Sequence, residues 1–524
     1  MIENFPYLLT MIVAIVLLIM LAEKIKVAYP VLLVVAGLLI SFIPGIPVLH
    51  IEPELIFIIF LPPLLYEAAW AISWKELWRW RRIICSFAFL VVFFTALCVA
   101  IVANSFIPGF TLALGFLLGG IISPPDAVSA SAILKFVKVP RRMSSILEGE
   151  SLLNDASSLI IFRFALIAVA TGQFDLQQAT LSFLWMVAGG VGIGLALGWI
   201  IMKMHQLLPT NANIDIIITL VTPYIMYIAA EDVHSSGVLS VVSGGLFLSV
   251  RRYEFLSSSA RLRGYNVWES LVFLLNGLVF LMIGLDLPEI TEGLKQEGIA
   301  FSSAIGYGLL ITAVLIVVRF LSSFGAVFTS MFMGRFIQVA DRNPGFKAPI
   351  LMSWTGMRGV VSLAAALSIP VQLDNGSPFP QRNLILFITF VVILTTLLLQ
   401  GLTLPTLIKK IGLPNFNDYI EEEEAHGIIQ RELAGNALNH IKTKYRDSGS
   451  QPSIWKSVFQ QWEAKNQSED IQELTSKTKV LHLEILNLQR EWLLKTNKMD
   501  DRFDEEIIKK HLHQLDIMEE KLKF

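Results

Sequence analysis

From residue 6 to residue 408 this chain is a succession of apolar stretches, several long enough to cross a bilayer alone and others short or broken. In hydrocarbon every backbone N–H and C=O must be paired within the protein, which leaves the helix as the spanning element for runs of this kind. Thirteen runs can be drawn: 6–22, 29–43, 54–71, 83–103, 111–134, 144–170, 178–202, 214–230, 236–250, 264–286, 301–330, 347–369 and 382–408. Only 16% of the chain is charged, against about 25% in a soluble domain, and the mean hydropathy is +0.63. The expected fold is an all-α polytopic membrane domain over residues 1–410. The first run lacks a basic leader and a small-residue cleavage site, so it reads as the first membrane helix.

Loop charges set the direction of threading. Lys24 and Lys26; Lys75, Arg79, Arg81 and Arg82; Lys135, Lys138, Arg141 and Arg142; Arg251, Arg252, Arg261 and Arg263; and Lys409 and Lys410 fall on alternate links. The intervening links hold little Lys or Arg beyond Lys295 and Arg382. The positive-inside rule puts the basic set in the cytoplasm, the N-terminus outside and the C-terminus inside. That requires an odd number of spans, and thirteen satisfies it. Trp70, Trp74, Trp78 and Trp80 fit an interfacial aromatic belt.

Several function classes are disfavoured. The net charge of −2 offers no nucleic-acid surface. Cys85 and Cys98, the two cysteines, share one apolar run and read as small core residues. No Cys/His cluster has metal-site spacing, and no Walker glycine loop with its lysine is present. Neither a cofactor nor an enzymatic activity is expected, and His50, His205 and His234 receive no catalytic role.

Ionisable groups inside spans are costly and mark function. The fifth run is interrupted by Gly119-Gly120-Ile121-Ile122-Ser123-Pro124-Pro125-Asp126. Its prolines cannot sustain a regular helix. Unwound backbone at membrane depth frees carbonyls for a cation and exposes half-helix ends. Asp126 follows the break, at the N-terminus of the next half-helix. The sixth run carries Glu148-Gly149-Glu150-Ser151-Leu152-Leu153-Asn154-Asp155. On a helix Ser151 and Asp155 share a face, with Glu150 and Asn154 on a neighbouring one. Oxygen donors suit a hard monovalent cation, and one carboxylate can hold either that cation or a proton. Glu67, near the end of the third run, is a site wall or a wet interfacial carboxylate. Arg319 needs an internal partner, for which Glu150 is the choice, clamping span 6 to span 11. Arg358 lies in a second glycine-flanked break, Trp354-Thr355-Gly356-Met357-Arg358-Gly359, seven spans after the first and so inverted in topology. It pairs with a carboxylate or offsets half-helix ends. Arg163, two turns beyond Asp155, either snorkels or pairs internally.

SPPDAVSA, ESLLNDASSLIIFR, TGMRGVVSLAAAL and LPPLLYEAA, in their places along residues 5–410, resemble the monovalent cation–proton antiporter-1 family of sodium/proton exchangers. The resemblance implies the sodium/proton antiporter fold: about thirteen spans, inverted repeats and two discontinuous crossing helices. It also implies homodimers in which a core bundle moves against a dimerisation bundle. By motif, Asp155 is the cation and proton carrier and Asn154 supports the site. Asp126 and Ser151 are helpers, Glu150 and Arg319 a structural ion pair, and Arg358 the arginine of the G-x-R-G motif. The implied activity is electroneutral export of Na+, and Li+, in exchange for H+ across a plasma membrane. The alternatives are potassium/proton antiport by the same mechanism, a cation channel or a membrane sensor. In one departure the hydroxyl of Ser123 stands a place further from Asp126 than in many relatives, which bears on ion selectivity.

Residues 411–524 are polar, with an acidic run at Glu421–Glu424 and apolar residues Ile471, Leu474, Leu481, Leu483, Ile485, Leu486 and Leu488 at helical spacing. This tail reads as a cytoplasmic helical appendage, broken near 446–453, that serves dimerisation, stability or regulation.

Overall fold

The computed structural model describes residues 5–43, 53–134, 139–172, 176–285, 287–333, 345–373, 376–412, 422–445, 476–500 and 502–523. His50, Ile471, Leu474 and the 446–453 break lie outside them. Among the described residues there is no strand, only an isolated bridge between Gln372 and Pro378. The helices are α1 (Phe5–Ile25), α2 (Tyr29–Ser41), α3 (Pro53–Ala71), α4 (Trp74–Cys85), α5 (Val92–Phe106), α6 (Leu112–Ile122), α7 (Ala127–Leu134), α8 (Arg141–Thr171), α9 (Leu176–Leu207), α10 (Ala212–Glu231), α11 (Gly237–Phe255), α12 (Ser258–Leu285), α13 (Leu287–Gln296), α14 (Phe301–Met333), α15 (Lys347–Trp354), α16 (Val360–Leu367), α17 (Arg382–Ile411), α18 (Glu422–Tyr445), α19 (Ser476–Met499) and α20 (Glu505–Lys523). A π-helical turn, Ser86–Val91, joins α4 to α5.

Each of the thirteen apolar runs falls on a helix or on a broken pair. Seven described helical stretches are long and apolar enough to cross a membrane by themselves: Trp74–Phe106, Arg142–Thr171, Thr180–Leu207, Ala212–Glu231, Ser258–Lys295, Phe301–Thr329 and Arg382–Ile411. The two broken runs are α6 with α7, separated at Ser123–Asp126, and α15 with α16, separated at Thr355–Gly359. Local chemistry starts several elements. Thr111 caps α6 by accepting from Leu114 N–H at 3.2 Å. Ser73 caps α4 by accepting from Glu76 N–H at 3.2 Å. Trp80 departs from the expected belt: it is 1% exposed, donates its indole N–H to Glu76 at 2.9 Å and lies under the Arg142 guanidinium. Trp74 and Trp78 are exposed and stacked on each other. Positions 74 and 78 are one turn apart, whereas Trp80 sits on the opposite, inward face.

The first compact unit, Met1–Pro209 with Ile217–Phe255 and Val267–Pro414, contains two apolar cores. One gathers Leu114, Leu117 and Leu118 of α6, Met143, Ile146, Leu147 and Phe162 of α8, and much of α17. The other gathers Leu61, Leu65 and Tyr66 of α3, Met226 and Tyr227 of α10, and Val238–Val242 of α11. Helix α8 belongs to both, since Leu152, Ala156 and Ile160 face the second core. Lipid offers no hydrophobic drive for helices to associate, so close approach through small residues substitutes for it. A Cβ on Gly115 would stand 2.7 Å from Ala100 Cα, and one on Gly119 would stand 2.7 Å from the Ala96 carbonyl oxygen. The backbones of α5 and α6 therefore touch.

The second unit comprises Asn415–Phe524 with Thr210–Ile216 and Leu256–Asn266. Buried Asp516 on α20 binds Arg261 Nε at 2.8 Å and Arg490 Nη2 at 3.0 Å. His426 Nδ1 and His511 Nε2 are 2.8 Å apart. Burial, and then the charge of His426, push the His511 pKa down to about 4, against an opposing hydrogen bond with Gln514.

Two predictions follow from this packing. Gly119→Val forces α5 and α6 apart and removes most of the monodisperse protein in size-exclusion chromatography. Gly192→Val is tolerated, because a Cβ there meets nothing within 4 Å; equal loss in both would refute the contact. For the tail, His511 is neutral when folded, while the unfolded ring takes up a proton near pH 6.5. Stability is therefore full above that pH and falls as pH drops toward about 4. Hydrogen exchange in Glu505–Lys523, corrected for intrinsic rate, should accelerate at pH 5 relative to pH 7.5, and His511→Gln should abolish the difference.

Candidate functional site

The two breaks meet. At Pro124-Pro125 the missing N–H groups prevent α6 from continuing, and α7 restarts with Asp126 as its N-cap. The Asp126 carboxylate accepts from Ser129 Oγ at 2.6 Å and Ser129 N–H at 3.4 Å. This is the ordinary way a carboxylate satisfies the orphan donors of a first turn. The backbone N–H of Asp126 donates across to the Met357 carbonyl, 2.7 Å away in the second break. Close approach there depends on Gly359: a Cβ at that position would lie 2.0 Å from Asp126 Oδ2. The backbone N–H of Arg358 donates to Thr396 Oγ1 of α17 at 3.2 Å.

Helix α8 brings the third component. Asn154 is fully buried, and its Nδ2 donates to the Pro125 carbonyl at 3.2 Å. Its Oδ1, like Ser123 Oγ, is buried with no hydrogen-bond partner among the described residues. Asp155 is 7% exposed and close enough to Asp126 for each carboxylate to feel the other's charge. Ser158 Oγ donates to the Asp155 carbonyl at 3.0 Å. Ser157 Oγ donates to the carbonyl of Ala88, in the π-helical turn. Ser151 is half-buried one turn before Asp155 on the same face.

A charged cluster lies beside this crossing. Arg319 of α14 grips Glu150 with both terminal nitrogens, Nη1 to Oε1 and Nη2 to Oε2, the latter at 2.7 Å. Glu150 is 0% and Arg319 4% exposed. The guanidinium lies 5.1 Å from the Phe87 ring centroid. Arg358 is also buried and feels both of these charges. Its Nε and Nη1 have no hydrogen-bond partner among the described residues. Its place is the break just past the C-terminal end of α15.

Glu67 stands apart. It is half-buried on α3 and feels the charge of Glu269 on α12. Arg163, for which sequence left two fates, forms an ion pair with Glu231 at the end of α10. Sequence reasoning did not single out Ser129, Ser157, Thr396 or Glu231, and it read Met357 and Gly359 only as part of the second break. Ser129 was legible as the third residue after an N-cap. The others meet the site through long-range contacts that no spacing announces.

With this geometry in place, the kinship of the chain is informative. Residues 10–410 match the model of the family described as sodium/hydrogen exchanger, transmembrane. The chain is 36% identical over 392 residues to a sodium, potassium, lithium and rubidium/H(+) antiporter of Bacillus pumilus, covering 73% of this chain and 58% of that one. It is 32% identical over 461 residues to a protein of the same description from Bacillus subtilis, covering 86% and 67%. The chain thus spans about three-fifths to two-thirds of the length of these relatives. The fold is similar to that of the sodium proton antiporter MjNhaP1 from Methanocaldococcus jannaschii, with a TM-score of 0.63 at 19% identity, covering 79% of this chain and 99% of the other. A two-break helical membrane architecture and a family match across the whole of it lead to one conclusion: the chain is an integral membrane protein belonging to the sodium/hydrogen exchanger family.

Proposed function

We propose that this protein exchanges a monovalent cation, Na+ foremost, for H+ at Asp155. The observation that carries the reading is the placement of Asn154 and Asp155 against two unwound segments. Asn154 binds the Pro125 carbonyl, and Asp126 binds the Met357 carbonyl. A buried carboxylate is costly to leave charged and bare. A cation or a proton relieves that cost equally well in charge, so the two compete for one site and are carried in opposite directions. Asp126, Ser151 and carbonyl or hydroxyl oxygens of the break complete a hard-oxygen environment, with Ser123 Oγ and Asn154 Oδ1 as further candidates. Asn154 fixes the site's shape, while Glu67, which stands apart beside Glu269, is left outside it.

Asn154 adds no second negative charge beside Asp155, which favours one proton per cation and electroneutral exchange. Glu150 and Arg319 serve as a structural clamp. Arg358 offsets the negative C-terminal end of α15. The basic links face the cytoplasm and the N-terminus lies outside, the membrane being a plasma membrane in which the chain works as a homodimer of thirteen-span protomers. The tail, residues 411–524, is an accessory helical domain. The names of the two Bacillus relatives support a second reading, in which K+ is also carried, because site size and field strength rather than site chemistry separate the alkali ions.

The test is dissipation of an imposed pH gradient in proteoliposomes by Na+, Li+ and K+. The wild type should respond to Na+ and Li+, and a matching K+ response would establish the broader selectivity. Asp155→Asn should lose the response to every ion while retaining its thermal midpoint; full exchange in that variant overturns the assignment of the carrier. For the clamp, Arg319→Met alone leaves Glu150 buried and unpaired, at a cost of about 3–5 kcal/mol, and should sharply lower the thermal midpoint. Glu150→Gln with Arg319→Met should recover most of it, whereas additive losses would mean that the pair is not the source.

A further inference from the structure

An antiporter working through one carboxylate must close the site to one side of the membrane while it is open to the other. The question is what holds it closed. Opposite the basic ends of α8 and α11, a cavity of about 380 Å³ is lined by residues of both apolar cores. Its apolar lining includes Ile58, Leu159 and Ile160, and Leu159 is one turn past Asp155 on the same side of α8. Arg163, a further turn along, and Glu231 line the cavity and form an ion pair across it.

The two partners belong to helices with different principal neighbours, although α8 also reaches the second core through Leu152, Ala156 and Ile160. Helix α8 packs most extensively against α6 and α4, whereas α11 packs against α9 and α3. Glu231 is tied to α11: its Oε1 accepts from Gly237 N–H at 3.0 Å, capping that helix. Gly237 is itself confined, since a Cβ there would lie 2.7 Å from the Tyr227 ring and 2.9 Å from Glu231 Oε1. Glu231 is therefore a fixed anchor, and Arg163, on a long flexible stem, is the partner able to disengage. Neither side chain is fully buried, at 35% and 28% exposed, so water can take over their charges when they part. A fully desolvated pair would be far costlier to separate.

We infer that the Arg163–Glu231 ion pair is a latch that holds the cation site shut at the end of the membrane domain away from the basic loops, and that it must part in each transport cycle. The inference rests on the antiport reading above. Opening a route past Leu159 and Ile160 requires α8 to shift against α11 and the Glu231 that caps it, which the pair resists. Once released, Glu231 joins exposed Asp232 as a second carboxylate on the cavity wall. Two carboxylates there attract monovalent cations toward the opened route.

The experiment uses full-length protein with Cys85 and Cys98 replaced by Ser and with Arg163→Cys and Glu231→Cys introduced, reconstituted in proteoliposomes. A bifunctional thiosulfonate with a reducible link should stop Na+-driven proton movement, and a reductant should restore it. The monofunctional reagent should leave exchange in place. Undiminished exchange in the cross-linked protein overturns the latch. A second measurement separates a latch from a merely structural pair. In Arg163→Gln, the apparent KM for Na+ should fall about fivefold when the ion is offered from the cavity side and rise from the other side, as a shifted two-state equilibrium requires. An equal change from both sides, or lower yield alone, overturns it. If the unmodified parent moves no protons with any alkali ion, the antiport reading itself fails and the latch fails with it.

Discussion

Four residues of unwound chain at Ser123–Asp126 and five at Thr355–Gly359 are tolerated at membrane depth because each helps to satisfy the other. The hydrogen bond from Asp126 N–H to the Met357 carbonyl joins them. Asn154 supplies an amide donor for Pro125 O, whose helical partner four residues on, the Ser129 N–H, turns instead to the Asp126 carboxylate. The absence of a side chain at Gly359 lets the Asp126 carboxylate come close. Bare backbone in hydrocarbon would cost several kcal/mol per unpaired group. The crossing is thus irregular backbone whose polar groups are met by its neighbours.

The charge arrangement follows from that crossing. Three ionisable side chains, Glu150, Arg319 and Arg358, lie buried beside it, and two of them neutralise each other in a bidentate pair. The guanidinium of Arg358 is left over, next to the end of α15, where terminal carbonyls carry partial negative charge. Asp126 is engaged by the first turn of α7. Asp155 stands just outside this accounting: its backbone carbonyl receives Ser158 Oγ, and its carboxylate lies within range of the charge of Asp126. The proposed exchange of a proton for a cation needs a carboxylate that is not already committed to an arginine, and Glu150, a little over one turn before Asp155, is so committed.

Helix α8 carries Asp155 and belongs to both apolar cores. Its Met143, Ile146 and Phe162 belong to the core shared by α6 and α17, and its Leu152, Ala156 and Ile160 to the core shared by α3, α10 and α11. Any relative movement of the two groups passes along the face that carries Asp155. The cavity and the Arg163–Glu231 pair lie at the far end of that same seam.

By itself the sequence determined the helical class, the places of the apolar helices and the two breaks, because these depend on local properties: apolar run length, prolines that lack an N–H, and glycines. It also singled out Asp126, Asn154 and Asp155, since ionisable and amide groups in apolar runs are conspicuous wherever they occur. The burial of Trp80 was not legible, because a tryptophan near a basic loop looks interfacial until Glu76 and Arg142 are seen to enclose it. The partner of Arg163 was not legible either, since Glu231 lies 68 residues further on and no periodicity links them. Tertiary structure alone decided which break met which, through a glycine that admits a carboxylate and a carbonyl that receives an N–H more than 200 residues away in the chain. Such pairings depend on three-dimensional proximity, and a linear pattern encodes only what lies within a few turns.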